Sequence, residues 1–158
     1  MASSNGSLDA ADRRLLRTVQ EDCLMPADQV GERCGMSAST VLRRLKRLRK
    51  LGVIRAEAAV VDPRKVGKPL QFIIGVRLEG EDAQIARAFL DRVRFNPLVT
   101  QCYFVTGSAD YVLHVCARDM EEYNGFVQDL VSDPHVAMSE THVVIDPVKV
   151  SLAVPIDA

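Results

Sequence analysis

The sequence predicts an α+β protein with an N-terminal helix-turn-helix domain, with or without a wing, and a C-terminal ferredoxin-like domain of βαββαβ order. Two observations predict the first domain: a basic amphipathic helix over residues 37–51, and a shorter helix with a glycine-containing turn directly before it. One observation predicts the second domain: four β-rich runs and two helical patterns follow in that order after residue 70.

The charged residues are divided unevenly along the chain. Of its 158 residues, 47% are hydrophobic, and the net charge is −1. Residues 1–68 hold 14 Lys and Arg against 8 Asp and Glu, whereas residues 69–158 hold 6 against 13. We therefore expect the first half to meet a polyanion and the second half to have a different task.

The hydropathy pattern argues against a membrane protein. No apolar run approaches the ~20 residues that a membrane-spanning helix needs, and the N-terminus lacks the apolar core of a signal peptide. We expect a cytoplasmic protein without a membrane partner.

Two helices are predicted before the basic one. Asp9 is a favourable N-cap for the first, which ends near Asp22. Residues 26–34 form the second and shorter helix, with Val30 and Cys34 one turn apart. The apolar face of the first helix consists of Ala11, Leu15, Leu16 and Val19.

The basic helix is the strongest signal in the sequence. Ser37 is a good N-cap, and Gly52 can adopt the left-handed conformation that ends a helix. Val41, Leu45 and Leu48 recur at helical spacing, so the cationic residues fall on the other side, where they suit a DNA major groove. The predicted DNA-binding residues are Ser37, Ser39, Thr40, Arg43, Arg44, Lys46 and Arg47. Taken alone, the same stretch is also typical of a solvated cationic face, and the helix-turn-helix context favours DNA.

The linker between the two domains is predicted to begin with short strands. Residues 53–55 and 57–61 are partly β-branched, as in a wing or a ribbon, and residues 62–69 contain two prolines and several cations. The predicted domains are a disordered tail at 1–7, the helix-turn-helix domain at 8–55, a β-ribbon and hinge at 56–70, the second αβ domain at 71–151 and a C-terminal tail at 152–158.

The second half predicts a four-stranded sheet with both helices on one face. Its strands carry long apolar stretches, such as residues 72–74 and 112–116, where a solvated face would alternate with polar residues. We therefore expect the uncovered face to pack on a second copy of the chain, which forms a homodimer. The predicted elements are strands at 72–78, 99–106, 111–117 and 142–150, the last extending back toward Met138, and helices at 82–93 and from the Asp119 cap to Leu130.

No catalytic or metal site is expected. His114, His135 and His142 have no mutual spacing typical of metal ligands, and none of the four cysteines is in CxxC spacing. The sequence also contains no GxSxG nucleophile motif and no Gly-rich phosphate loop. We expect neither an enzyme nor a resident cofactor.

With both halves laid out, the sequence resembles the Lrp/AsnC family of feast/famine transcription regulators. The resemblance implies a helix-turn-helix head, a βαββαβ ligand-sensing domain, and dimers that assemble into octamers or other even-numbered oligomers. It also implies an amino acid effector bound in a cleft between sensing domains. The likeness is carried by residues 8–16, 35–45, 51–54, 105–111 and 139–141.

By position, the resemblance implies a set of ligand contacts. In the set, Gly107 would let backbone amides approach a carboxylate, and Asp110 could pair with an α-ammonium group. Both residues are equally typical of a plain hairpin turn. One departure is Gly31, which stands where the family prefers Ala and is interpreted as tolerated. The implied contacts are Gln101, Tyr103, Thr106, Gly107, Ser108, Asp110, Ser139 and Thr141.

The leading functional hypothesis is a sequence-specific DNA-binding transcriptional regulator, with double-stranded DNA and an amino acid or related metabolite as partners. A second hypothesis is an architectural DNA protein that needs no effector. A third is a haem-pathway decarboxylase of the same two-domain architecture, which would need histidines in a cofactor cleft. The arginines kept together at positions 43, 44 and 47 argue against the enzyme.

Overall fold

The computed structural model describes residues 8–80 and 82–157, and these form two compact units. The head unit comprises residues 8–59 together with 149–157, and the sheet unit comprises residues 60–148. The division between Ala59 and Val60 lies inside the predicted linker. The predicted tail at 1–7 lies outside the described residues.

The head unit contains the three predicted helices: α1 (Ala10–Glu21), α2 (Ala27–Cys34) and α3 (Ala38–Lys50). Helix α1 begins at a capping box, in which the Asp9 and Asp12 side chains each accept from the other's backbone N–H. The Ser37 side chain accepts from the Thr40 N–H and caps α3, as its position predicts.

The core of the head unit consists of the apolar faces of these helices. In α3, Val41 and Leu48 are 0% exposed and Leu45 is also buried, which confirms the predicted stripe. The remaining core residues are Leu15, Leu16, Val30 and Cys34. Because the stripe of α3 faces this core, its cationic residues are left on the other sides of the helix.

The turn between α2 and α3 requires glycine at position 31. A Cβ atom on Gly31 would lie 2.5 Å from the Met36 carbonyl oxygen, and the Met36 N–H donates to the Gly31 carbonyl at 2.9 Å. A backbone atom cannot yield as a flexible side chain does. Gly31 is therefore a requirement of this turn and not merely a tolerated residue.

The predicted strands between residues 53 and 61 are absent from the structure, which describes all nine of these residues as irregular. Val60 is 81% exposed, and a short helix of 3₁₀ type follows at Pro63–Val66. An isolated ribbon has little stability without a further strand to pair with. The β-branched composition of this segment is therefore not sufficient to form a strand within a single chain.

The sheet unit has the predicted βαββαβ order. Its strands pair antiparallel in the order β2-β3-β1-β4, and its buried core lies between the sheet and the two helices. Its elements are β1 (Leu70–Leu78), α4 (Ala83–Phe95), β2 (Val99–Phe104), β3 (Tyr111–Ala117), α5 (Met120–Val131) and β4 (Val136–Val143).

The last strand lies earlier in the chain than the sequence predicts. It pairs with β1 from Leu78↔Val136 to Phe72↔Val143, and the Val144 N–H makes one more bond to the Gln71 carbonyl. Because β1 itself begins at Leu70, residues 145–150 have no strand to pair with. The prediction of a strand over 142–150 is therefore wrong in its boundaries.

The two faces of the sheet differ. Phe72, Ile74 and Val76 of β1 are 0% exposed and lie on the face that packs on α4 and α5. The alternate residues lie on the other face, the open face, which includes Ile73 and Val112, both half-buried. The open face also carries His114, whose ring nitrogens contact the Thr100 hydroxyl at 2.5 Å and the Gln71 amide oxygen at 3.2 Å. Burial lowers the pKa of His114.

The C-terminal segment packs on the head unit. The Gln20 amide pairs with the Val154 backbone, donating to its carbonyl at 3.1 Å and accepting from its N–H at 2.8 Å. Ile156 packs against the head core, and its carbonyl accepts from Arg17 at 3.5 Å. Residues 152–158 are predicted to be a tail, whereas the described part of them is an element of the head.

This packing gives a prediction for stability. Replacing Ile156→Asp puts a charge against the apolar head core, and we expect it to lower the free energy of unfolding of the head by about 1–2 kcal/mol. Urea denaturation followed by helical circular dichroism measures the change. Leu152→Asp is the matched control, because Leu152 is 74% exposed. Equal stability of the two variants would show that the segment does not pack on the head in solution.

Candidate nucleic-acid interface and ligand site

The outward face of α3 carries one serine followed by a row of cations without ion-pair partners among the described residues. Ser39, Arg43, Lys46 and Lys50 are exposed. Within the described part of the chain, the ion pairs include neither Arg43 nor the two lysines. These residues recur at three- and four-residue intervals, so they form one continuous strip along the helix.

Arg44 and Arg47 are held by carboxylates of α1 and its cap. The Arg44 Nη1 donates to Asp9 Oδ2 and to Asp12 Oδ1, both at 2.8 Å, and Arg47 Nη2 donates to Asp12 Oδ2. The Asp12 side chain is 0% exposed, against 24% for Arg44 and 43% for Arg47. The seven predicted DNA-binding residues therefore include two arginines whose charge is already partnered within the head.

The buried carboxylate stays ionised because of these partners. Burial by itself raises the pKa of Asp12, but hydrogen bonds from Arg47, Arg44 and the Asp9 N–H outweigh it, so that the pKa is lowered. The Arg44 guanidinium, helped by the Asp12 N–H, lowers the pKa of Asp9 from 3.8 to about 2. Both groups are therefore carboxylates at neutral pH.

A cavity of about 280 Å³ lies beside this cluster and is lined by Asp9, Arg43, Arg44 and Arg47. The Arg44 Nε is buried and has no hydrogen-bond acceptor among the described residues. A buried donor without an acceptor typically costs about 1–3 kcal/mol. Three guanidinium groups line the cavity against the Asp9 carboxylate and the buried Asp12 carboxylate beside it, which leaves one excess positive charge.

The hydroxyl residues at the start of α3 have different roles. Ser37 accepts from the Thr40 N–H at 3.3 Å and donates to the Thr40 hydroxyl at 2.9 Å, so it is committed to the cap. Ser39 lies 3.1 Å from the Ser37 hydroxyl and is exposed. Of the three predicted hydroxyl contacts, Ser39 is the one most available to a base edge or a phosphate.

The predicted ligand loop is built as a braced hairpin. Gly107 adopts φ +123°, which only glycine takes readily. The Asp110 carboxylate accepts from the Leu78 N–H at 2.8 Å, and the Arg77 Nε donates to the Ser108 carbonyl at 2.9 Å. One Asp110 oxygen thus stabilises the hairpin by accepting from the backbone. The sequence predicts only a pairing of this carboxylate with an α-ammonium group.

One chain does not bring the eight predicted ligand residues into a single site. Ser139 and Thr141 are paired with Val76 and Ile74, and therefore share their helix-covered face. Tyr103 is paired with Val112 of the open face and donates from its hydroxyl to Gln101 at 3.1 Å. Thr106, Gly107 and Ser108 are exposed on the loop. Ser139 and Thr141 therefore lie on the opposite face of the sheet from Gln101 and Tyr103.

Another cavity, of about 260 Å³, lies between α4 and α5, away from this loop. Its lining is mostly apolar, and the Arg92 side chain at its edge pairs with Asp133 at 2.6 Å. The lining residues are Phe89, Arg92, Val93, Phe95, Asn96, Pro97, Phe126, Asp129 and Leu130.

Sequence reasoning missed the acidic half of the α3 cluster. Asp12, Leu15, Leu16 and Val19 are spaced i, i+3, i+4 and i+7, so Asp12 belongs to the apolar face of α1. A carboxylate in that position needs a cationic partner from another element. The signal was present, but the identity of the partner depends on how α1 packs against α3.

Among residues 8–80 and 82–157, no helix combines the length and apolar character needed to span a bilayer. Over the same residues, no group of three or more His, Cys, Asp or Glu is arranged to hold a metal ion.

Two family models match the chain. A winged helix-turn-helix DNA-binding model covers residues 8–55, and the Lrp/AsnC ligand binding domain model covers residues 71–154.

Individual proteins match over most of their length. An uncharacterized HTH-type transcriptional regulator of Sinorhizobium fredii, y4tD, is 42% identical over 95% of this chain and 89% of its own. The leucine-responsive regulatory protein of Rhizobium meliloti is 32% identical over 90% of this chain and 92% of its own. The crystal structure of a transcriptional regulator from Neisseria meningitidis in complex with L-methionine superimposes with a TM-score of 0.89 at 32% identity, over 94% of this chain and 97% of that one.

The buried carboxylate gives a prediction for stability. Replacing Asp12→Asn leaves Arg44 and Arg47 without their shared anion, and we expect a loss of about 2–3 kcal/mol in the free energy of unfolding, since both arginines are partly exposed. Urea denaturation measures the loss. Asp28→Asn, on the exposed side of α2, is the matched control and should cost far less.

The same variant should also change how the stability of the head depends on pH. A carboxyl whose pKa is lowered in the folded state contributes stability that is present above its unfolded pKa and is lost as pH falls through the folded value. The pKa of Asp12 is lowered from 3.8 in the folded protein, so the head should lose stability as the pH falls below about 4. Asp12→Asn should flatten this decline; an unchanged decline would contradict the role of the cluster.

Proposed function

Because this chain belongs to the Lrp/AsnC family of transcriptional regulators, we propose that it acts in the cytoplasm as a sequence-specific DNA-binding regulator modulated by an amino acid or related metabolite. The observation that carries the DNA-binding half of the proposal is the exposed strip of Ser39, Arg43, Lys46 and Lys50 on α3. The observation that supports the effector half is a second unit whose sequence matches the family's ligand binding domain.

The strip on α3 fits a DNA groove. From Arg43 to Lys50 the helix rises about 10 Å, which suits a major groove about 12 Å wide. Ser39 lies near the N-terminal end of the helix, the end that meets base edges in helix-turn-helix proteins. In the proposed complex, Arg43 reads a base or a phosphate, and the two lysines neutralise phosphates along the groove wall.

The open face of the sheet is the proposed surface for a second copy. It carries Ile73, Val112 and Cys116, all half-buried, and Gly75, whose missing side chain leaves room for Ala109 of the same chain. A dimer across this face would present two copies of α3 to two DNA half-sites. Further assembly to an octamer or another even-numbered oligomer follows the pattern of the family.

The effector site is proposed to form between copies of the chain. The candidates in the loop, Thr106, Gly107, Ser108 and Asp110, and the candidates on the two sheet faces cannot surround one ligand within a single chain. A site that needs residues from two copies would couple binding to assembly. The methionine-bound regulator of Neisseria meningitidis supports an amino acid as the ligand class.

The DNA-binding proposal predicts the effect of two substitutions. We expect Arg43→Ala and Lys46→Ala each to weaken binding to the protein's own promoter by about tenfold or more, and to reduce the salt slope by about one where the lost contact is to phosphate. Fluorescence anisotropy at several salt concentrations measures both. Arg94→Ala, which removes an exposed arginine of the sheet unit, is the control. An equal effect of all three would assign the loss to general charge.

The effector proposal predicts a selective response. We expect at least one of the twenty amino acids to raise the melting temperature of the protein and to change either its promoter affinity or its oligomer size. Thermal shift, gel shift and light scattering measure these three quantities. Tight DNA binding that no amino acid changes would contradict the effector half and favour the architectural alternative.

A further inference from the structure

We infer that Asp9 is a built-in competitor for a DNA phosphate at Arg44, so that the head carries an intramolecular brake on its own DNA affinity. The inference rests on the proposed DNA-binding function and deepens it. It names the ligand chemistry, a phosphate oxyanion, and the side chain that this oxyanion must displace.

The two carboxylates that hold Arg44 are unequal. The same atom, Nη1, donates to Asp9 Oδ2 and to Asp12 Oδ1 at 2.8 Å. Asp12 is 0% exposed and also holds Arg47, whereas the Asp9 side chain is 53% exposed. Solvent and solutes therefore reach Asp9 and not Asp12, which makes Asp9 the exchangeable partner.

The cavity beside Asp9 has the charge and the donors that an oxyanion needs. Asp9, Arg43, Arg44 and Arg47 line its volume of about 280 Å³. Arg43 is exposed and forms none of the ion pairs found among the described residues, so its guanidinium is available to an oxyanion. Guanidinium groups are the side chains best suited to phosphate, since each offers several donors in a plane.

Exchange at Asp9 leaves the fold intact. While Oδ2 faces Arg44, Oδ1 accepts from the Asp12 N–H at 2.7 Å and caps α1. When a phosphate takes over the Arg44 donor, Oδ2 returns to water and the cap remains. The low pKa of Asp9, about 2, keeps it anionic at neutral pH, so the carboxylate competes with phosphate throughout the physiological range.

The test uses Asp9→Asn in the full chain, with Glu21→Gln as the matched control. Asparagine caps a helix about as well as aspartate, so the change removes the charge and keeps α1. Glu21 is likewise an exposed acid of the head that holds an arginine, Arg33 at 3.2 Å, but away from α3. Both variants therefore remove one negative charge and one exposed ion pair.

The measurement is fluorescence anisotropy on a promoter duplex and on an unrelated duplex, over a range of salt. We expect Asp9→Asn to bind both duplexes about two- to fivefold more tightly per head than Glu21→Gln, because an exposed ion pair no longer has to be broken. The salt slope should steepen by up to about one per head. Asp9→Ser, which also caps well, should reproduce the result if Asp9→Asn folds poorly.

Equal affinity of the Asp9 and Glu21 variants would overturn the inference. The second arm of the test uses free inorganic phosphate in 10-fold excess over chloride at matched ionic strength. If this phosphate selectively stabilised Asp9→Asn and abolished its increase in DNA affinity, the cavity would be a site for free phosphate and not for a DNA phosphate. Failure of the proposed DNA-binding function would look different. In that case the wild-type protein would bind duplex DNA no better than the Arg43→Ala variant does.

Discussion

The head depends on one buried carboxylate. Asp12 is the charged side chain that the described residues bury completely, and it joins α1 to α3 through Arg44 and Arg47. Burying a carboxylate is unfavourable unless its oxygens are satisfied, and here two guanidinium groups and the Asp9 N–H satisfy them. The apolar stripe sets which side of α3 faces the core, and the carboxylate fixes one flank of the helix against α1.

This constraint sorts the cations of α3 by task. Arg44 and Arg47 lie on the flank toward α1, where they neutralise Asp12, whereas Arg43, Lys46 and Lys50 lie on the outward side. A helix with all of its cations free would bind any polyanion, and a helix with all of them paired would bind none. The observed division leaves a narrow strip of positive charge in a defined orientation. At its edge lies the cavity whose lining arginines are partly neutralised by carboxylates.

Local patterns in the sequence were sufficient to predict the elements and their order. The spacing of Val41, Leu45 and Leu48, the Ser37 cap and the β-rich run of β1 each depend on neighbours in the chain, and the structure confirms them. Features that depend on contacts distant in sequence could not be predicted. Residues 53–61 are β-branched but have no strand beside them, and Ile156 joins the head core from the far end of the chain. Gly31 was underestimated for a different reason: the Met36 carbonyl is near in sequence, but its approach to Gly31 depends on the exact conformation of the turn. The ligand candidates were assigned by position, and the register of β4 then separated them on two faces.

A double-mutant cycle measures how strongly Asp12 and Arg47 depend on each other. It compares the free energies of unfolding of the wild-type chain, Asp12→Ala, Arg47→Ala and the double variant, measured by urea denaturation at pH 7. We expect a coupling energy of at least about 1 kcal/mol between the two side chains, since they meet across α1 and α3 with the carboxylate out of water. Additive effects, with a coupling within about 0.3–0.5 kcal/mol of zero, would contradict it.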